Sequence, residues 1–156
     1  MIERKCGHII NLGSVAGDDV YEKGNIYCAS KATVDAISRS MRIDLLQHHI
    51  KVTNIKPGVV ETEFGIVRYK GDSDKAHKVY QGFTPLTGRD IADAIFYCAS
   101  LPPNICINEL EITCIAQATG FFSTAILKYG NKFWYNSLVT RNIWEKKMYP
   151  CFLEKK

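Results

Sequence analysis

The stretch HIINLGSVAGDDVYEKGNIYCASK, residues 8–31, decides the fold. Its opening run, His8 to Leu12, is rich in apolar residues and reads as a short buried strand. Gly13-Ser14 follows at once, and Gly17-Asp18-Asp19 supplies turn residues. From about Ile26 a helical pattern begins. Val34, Ile37, Met41 and Leu45 recur at steps of three and four, which marks one helix face. That stripe is expected in the core, and the helix is expected to end near His48-His49.

Working outward, Ile50 to Ile55 (IKVTNI) reads as a second strand, stopped by Pro57-Gly58. Residues 61–82 are polar and glycine-spotted, with a turn expected at Gly71-Asp72-Ser73-Asp74. This segment is read as a loop with some helix, able to fold over a ligand. Thr87 and Asp90 have the spacing of a capping box. The helix they open carries Ile91, Ile95 and Cys98 on one face and should stop before Pro102-Pro103. Glu109 to Ile115 (ELEITCI) alternates and reads as a third strand.

Strand, helix, strand, loop, helix, strand is the order of an α/β chain, with a parallel sheet and helices on its faces. Ligands of such sheets sit beyond the carboxyl ends of the strands. Ser14 and Pro57-Gly58 both fall there. Residues 119–156 are aromatic and basic without a clean period, a divergent tail.

Composition narrows the function classes. The chain has 156 residues, 46% hydrophobic and 23% charged, the size of one globular domain. Its net charge of +4 comes without a run of basic residues, so nucleic-acid binding is not expected. Six cysteines contain no CxxC pair, which argues against a zinc ribbon and for a reducing, cytoplasmic setting. The four histidines lack metal-ligand spacing. The start, Met1-Ile2-Glu3-Arg4-Lys5, is charged and leads into no signal-peptide core, and no apolar stretch approaches the ~20 residues of a membrane span.

The chemistry lies in Ser14, Tyr27 and Lys31. Tyrosine and lysine four apart on a helix share a face, one turn apart. A cation beside a phenol stabilises the phenolate and brings proton exchange with a substrate hydroxyl toward neutral pH. A serine at the end of a neighbouring strand can donate a hydrogen bond to the same oxygen. Together they suit an alcohol–carbonyl interconversion.

Asn11-Leu12-Gly13-Ser14, then Tyr27-Cys28-Ala29-Ser30-Lys31 with its tyrosine thirteen positions after the serine, then Pro57-Gly58-Val59-Val60-Glu61-Thr62, closely resembles the short-chain dehydrogenase/reductase family. The resemblance implies Tyr27 as general acid/base, Ser14 polarising the substrate oxygen, and Lys31 holding the nicotinamide ribose. It also implies that Pro57, Gly58, the backbone near Val60 and the side chain of Thr62 contact the cofactor, NADP with NAD possible. A narrower resemblance, through Thr62-Glu63-Phe64, residues 67–72 and residues 107–112, is to the NADP-dependent 3-hydroxy acid (serine/allo-threonine) dehydrogenases. It implies a small hydroxy acid or carbonyl substrate and makes Arg68 a candidate partner for its carboxylate.

The resemblance covers about residues 1–118 and implies the C-terminal half of a Rossmann-like, doubly wound domain. No Gly-x-x-x-Gly-x-Gly phosphate loop occurs in the 156 residues. The family also implies a homo-oligomer through the helix at residues 27–49. The alternative expectation is an inactive fragment that binds a partner through an exposed sheet edge.

Overall fold

The computed structural model describes residues 1–118. The 119–156 tail lies outside the described residues. Strand β1 (Gly7–Leu12) leads through a 3₁₀ turn at Val15–Gly17 into helix α1 (Asn25–Asp44). Strand β2 (Ile50–Pro57) and the short β3 (Val60–Glu61) follow. Then come α2 (Phe64–Arg68), α3 (Ser73–Lys78), the short β4 (Leu86–Thr87), α4 (Gly88–Ser100) and β5 (Glu109–Ile112).

The main sheet is parallel in the order β1-β2-β5. β2 is its centre, aligned Gly7 to Ile50 on one side and Asn54 to Glu109 on the other. A second parallel ladder pairs Val60 with Leu86 and Glu61 with Thr87. The expected α/β parallel sheet is thus the observed one.

Successive β2 residues point to opposite faces. Ile55 packs with Ile91 and Cys98 of α4, joined by Ile10, Leu110 and Ile112. This apolar layer is the core. Each fully buried aliphatic side chain in it contributes about 1.5–3 kcal/mol. The Thr87 hydroxyl and Asp90 carboxylate form the expected capping box at the start of α4.

The opposite face mixes the buried apolar Ile50 and Val52 with the polar Asn54 and Lys56. There α1 meets the sheet and its neighbouring loops through Cys28, Lys31, Asp35, Ser38 and Arg42, at steps of three and four. Cys28 Sγ donates to the Asp19 carbonyl (3.9 Å), and Lys31 Nζ donates to the Leu12 carbonyl (2.9 Å). Asp35 accepts from Asn54 (3.4 Å), and Ser38 accepts from Asn11 (2.9 Å). Arg42 donates to the Asn108 carbonyl (2.7 Å) and pairs with Glu109 (3.1 Å).

This arrangement corrects the expected apolar stripe in part. Val34, Met41 and Leu45 are only half-buried, and Ile37 is 50% exposed. β2 turns Asn54 and Lys56 toward this side, so the helix must answer with polar groups. Ile26 and Ile43 are exposed as well.

The element ends also shift. α1 stops at Asp44, a 3₁₀ turn spans Leu46–His48, and His49 closes it at φ 54°. β2 runs through Pro57, and β5 ends at Ile112. Within 61–82 the helices α2 and α3 account for the expected partial helix; Asp72 caps α3 through the Lys75 amide. Among the described residues no helix is long and apolar enough to cross a membrane, and no group of three acidic, His or Cys residues is placed to hold a metal. The five described cysteines are free thiols.

Candidate active site

The carboxyl ends of β1 and β2 open into a cavity of about 1120 Å³. Ser14, Tyr27 and Lys31 all line it. So do Pro57, Gly58, Val60, Thr62 and Arg68. Every residue singled out by the sequence therefore borders one space, although the chain separates the first and last of them by more than fifty positions.

Ser14 follows β1 directly, in extended backbone, and caps the 3₁₀ turn by accepting from the Ala16 amide at 3.1 Å. Its hydroxyl donates to the Pro57 carbonyl at 3.4 Å. That long bond is weak enough to be exchanged for another acceptor. Tyr27 sits in the first turn of α1, half-buried, its ring 5.5 Å from that of Phe64 and tilted 41° to it.

Lys31 is one turn further along α1. Its ammonium lies 5.8 Å from the Tyr27 ring centroid. The bond to the Leu12 carbonyl anchors it to the end of β1. Burial pushes the Lys31 amine below its ordinary value.

Arg68 ends α2. Its guanidinium lies 5.4 Å from the Tyr21 ring centroid and 5.9 Å from that of Tyr27, and it donates to the Tyr21 hydroxyl at 3.1 Å. It is solvent-exposed and makes no ion pair among the described residues. Contacts of this cation–π kind contribute about 0.5–1 kcal/mol at exposed sites. Burial raises the Tyr21 phenol above its ordinary value, against the pull of Arg68.

Thr62 Oγ1 accepts from the Phe64 amide at 3.3 Å, which steadies the entry to α2.

Three participants escaped the sequence. Tyr21 belongs to no motif, its place six residues before Tyr27 being the available hint, and Phe64 entered only within Thr62-Glu63-Phe64 with no role at the site. Gln117 lines the cavity from beyond β5, and its side chain accepts from the Val59 amide at 2.8 Å. An isolated glutamine after a strand carries no signal.

Comparison with known proteins finds relatives of the chain. Residues 1–72 match the family model described as short chain dehydrogenase. Over 119 residues the chain is 46% identical to the NADP-dependent 3-hydroxy acid dehydrogenase YdfG of Salmonella typhi, covering 76% of this chain and 48% of that protein. It is 44% identical over 115 residues to the sulfoacetaldehyde reductase of Chromohalobacter salexigens, covering 74% and 46%. Among solved structures, the closed form of serine dehydrogenase complexed with NADP+ superposes with a TM-score of 0.74 at 45% identity, over 76% of this chain and 48% of that one.

The chain belongs to the short-chain dehydrogenase/reductase family. It spans about half the length of the curated relatives it matches.

Proposed function

We propose that this chain carries the catalytic and nicotinamide-side half of an NADP-dependent oxidoreductase, one that interconverts the CH–OH and C=O groups of a small 3-hydroxy acid. Residues 1–118 then correspond to the C-terminal half of the relatives' domain. The observation that carries the reading is the Ser14, Tyr27 and Lys31 grouping on one cavity wall, with Lys31 tethered to Leu12 beside the Tyr27 ring.

The cavity fits the nicotinamide end of the cofactor. An ammonium has three N–H donors, and the Leu12 carbonyl takes one of Lys31's, which leaves donors for ribose hydroxyls. The backbone at Val60 and the Thr62 hydroxyl, both on the cavity wall, offer polar groups for a carboxamide. When bound, the nicotinamide supplies or accepts the hydride. The chain's own residues do the rest. Tyr27 gives its hydroxyl proton to the substrate oxygen during reduction and takes it back during oxidation. Ser14 exchanges its bond to the Pro57 carbonyl for one to that oxygen. Arg68, held against Tyr21, receives the carboxylate.

A homo-oligomer through α1 fits the exposed Ile26, Ile37 and Ile43. The free thiols fit a reducing cytoplasm.

The unpaired side of β1 favours a second reading. Among the described residues β1 pairs with β2 alone. An open strand edge is a docking template, so an inactive chain that binds a partner there is the competing function.

The test is turnover of NADP+ with serine-like 3-hydroxy acids, followed by nicotinamide absorbance. Tyr27→Phe should lower kcat by roughly 10²–10⁴-fold, the range for general acid–base loss, with the fold intact. Turnover equal in wild type and variant overturns the mechanism. No nicotinamide binding by the wild type, either alone or with the missing half of the domain supplied, overturns the oxidoreductase reading and leaves the partner-binding one.

A further inference from the structure

We infer that Gln117 is a positioning residue that sets the Gly58–Val60 turn for the nicotinamide carboxamide; the inference rests on the oxidoreductase reading above. Gln117 is 5% exposed, although it is polar and lies past the last strand of the main sheet. Its own backbone is fixed by a turn, with its amide donating to the Cys114 carbonyl at 2.9 Å. From there the side chain lines the cavity, and its oxygen accepts from the Val59 amide at 2.8 Å.

The two neighbouring peptide units are held as well. The Leu86 amide donates to the Val59 carbonyl at 3.1 Å, and the Gly58 amide donates to the Ile112 carbonyl at 2.8 Å. Val59 thus has both backbone polar groups taken, one by a side chain and one by β4. The next residue, Val60, lines the cavity. Fixing Val59 on both sides fixes the direction in which the chain enters Val60.

Gly58 completes the device. A methyl group there would overlap the Gln117 carboxamide. The glycine is needed because the glutamine lies against it, and the glutamine can lie there because the glycine has no side chain. Gly58 and Gln117 form an interlocked pair separated by 59 positions in the chain.

The experiment titrates the intact chain with NADPH and follows nicotinamide fluorescence, together with hydrogen exchange at the Val59 amide. Gln117→Leu removes the acceptor at similar volume. It should weaken NADPH binding by about tenfold, the scale of one lost hydrogen bond, and speed Val59 exchange. Gln117→Glu keeps an acceptor and should stay within about threefold of wild type. Gly58→Ala should weaken binding as well, and Gln117→Ala added to it should restore part of the loss.

Gln117→Leu binding like wild type overturns the inference. So do Leu and Glu variants equally impaired, because then only packing matters. Additive losses in the Gly58/Gln117 double variant also overturn it. A wild-type chain blind to NADPH, both alone and with the missing half of the domain supplied, overturns the oxidoreductase reading first and takes this inference with it.

Discussion

Lys56 forms an ion pair with Asp18. Lys56 directly precedes Pro57, whose carbonyl receives the Ser14 hydroxyl, and Asp18 lies four residues beyond Ser14. The pair therefore joins the two segments that hold the serine. Glu109 lies 3.4 Å from the same ammonium, which is only 7% exposed.

Asp18→Asn should destabilise the protein by roughly 1–3 kcal/mol, because it leaves a buried ammonium with one carboxylate instead of two. Lys56→Met should cost less, since an apolar replacement leaves no buried charge. Urea denaturation of both variants checks the order; a larger loss in Lys56→Met contradicts it. Burial alone would lower the Lys56 amine, but the hydrogen bond and charge of Asp18, with Glu109 and Asp35, raise it overall above 10.5. A raised amine contributes stability that is full below the unfolded value and is lost as pH climbs through the folded one. The Lys56 contribution should therefore fade above about pH 10.5 and vanish from the profile of Lys56→Met.

His8 gives the opposite pH signature. Its Nε2 lies 2.7 Å from the Thr53 hydroxyl, and burial, then the charge of Lys51, lower the imidazole below 6.5. The unfolded chain then binds the proton more readily than the folded one, so stability falls as pH drops below about 6.5. Thermal unfolding between neutral and mildly acid pH should show this slope in wild type and a flatter one in His8→Gln. An equal slope in both assigns the acid sensitivity elsewhere.

Lys31→Met should affect stability and chemistry together. Losing the bond to the Leu12 carbonyl should cost about 1 kcal/mol. Turnover should fall with it, since the ammonium beside Tyr27 is gone. Comparing unfolding midpoints with kcat separates the effects: a variant as stable as wild type means the Leu12 contact contributes nothing to folding.

Arg68→Leu should raise KM for a 3-hydroxy acid by about tenfold or more, the size of a lost charge-assisted bond, and leave a neutral alcohol nearly unaffected. Tyr21→Phe removes only the 3.1 Å bond and keeps the ring under the guanidinium, so its KM should rise less. Equal effects on acid and alcohol would remove Arg68 from substrate recognition.

Much of this architecture was legible because it follows short-range rules. The Thr87 and Asp90 box, the apolar run at Ile9-Ile10 and the Tyr27 and Lys31 spacing each express a local preference. The polar side of α1 was not legible. Hydrophobic periodicity picks out Val34 and Ile37, whereas Asp35 and Ser38 are the residues buried, and their reason lies on β2 in Asn54 and Lys56. The two-residue strands β3 and β4 are too short to show a period. Gln117 and Gly58 meet only after the sheet has formed, so nothing near either one announces the other.

Hydrogen bonds along α1 also govern its axial setting. A greasy interface tolerates a helix sliding by a turn, because one aliphatic surface resembles the next. Here each tooth of the helix has its own slot, from Lys31 on Leu12 to Arg42 on Asn108. Slipping by one turn would strand several buried polar atoms at once, at about 1–3 kcal/mol each. The depth at which Tyr27 enters the cavity is thus dictated partly from the far end of the helix, and a substitution at Arg42 should be felt at the phenol.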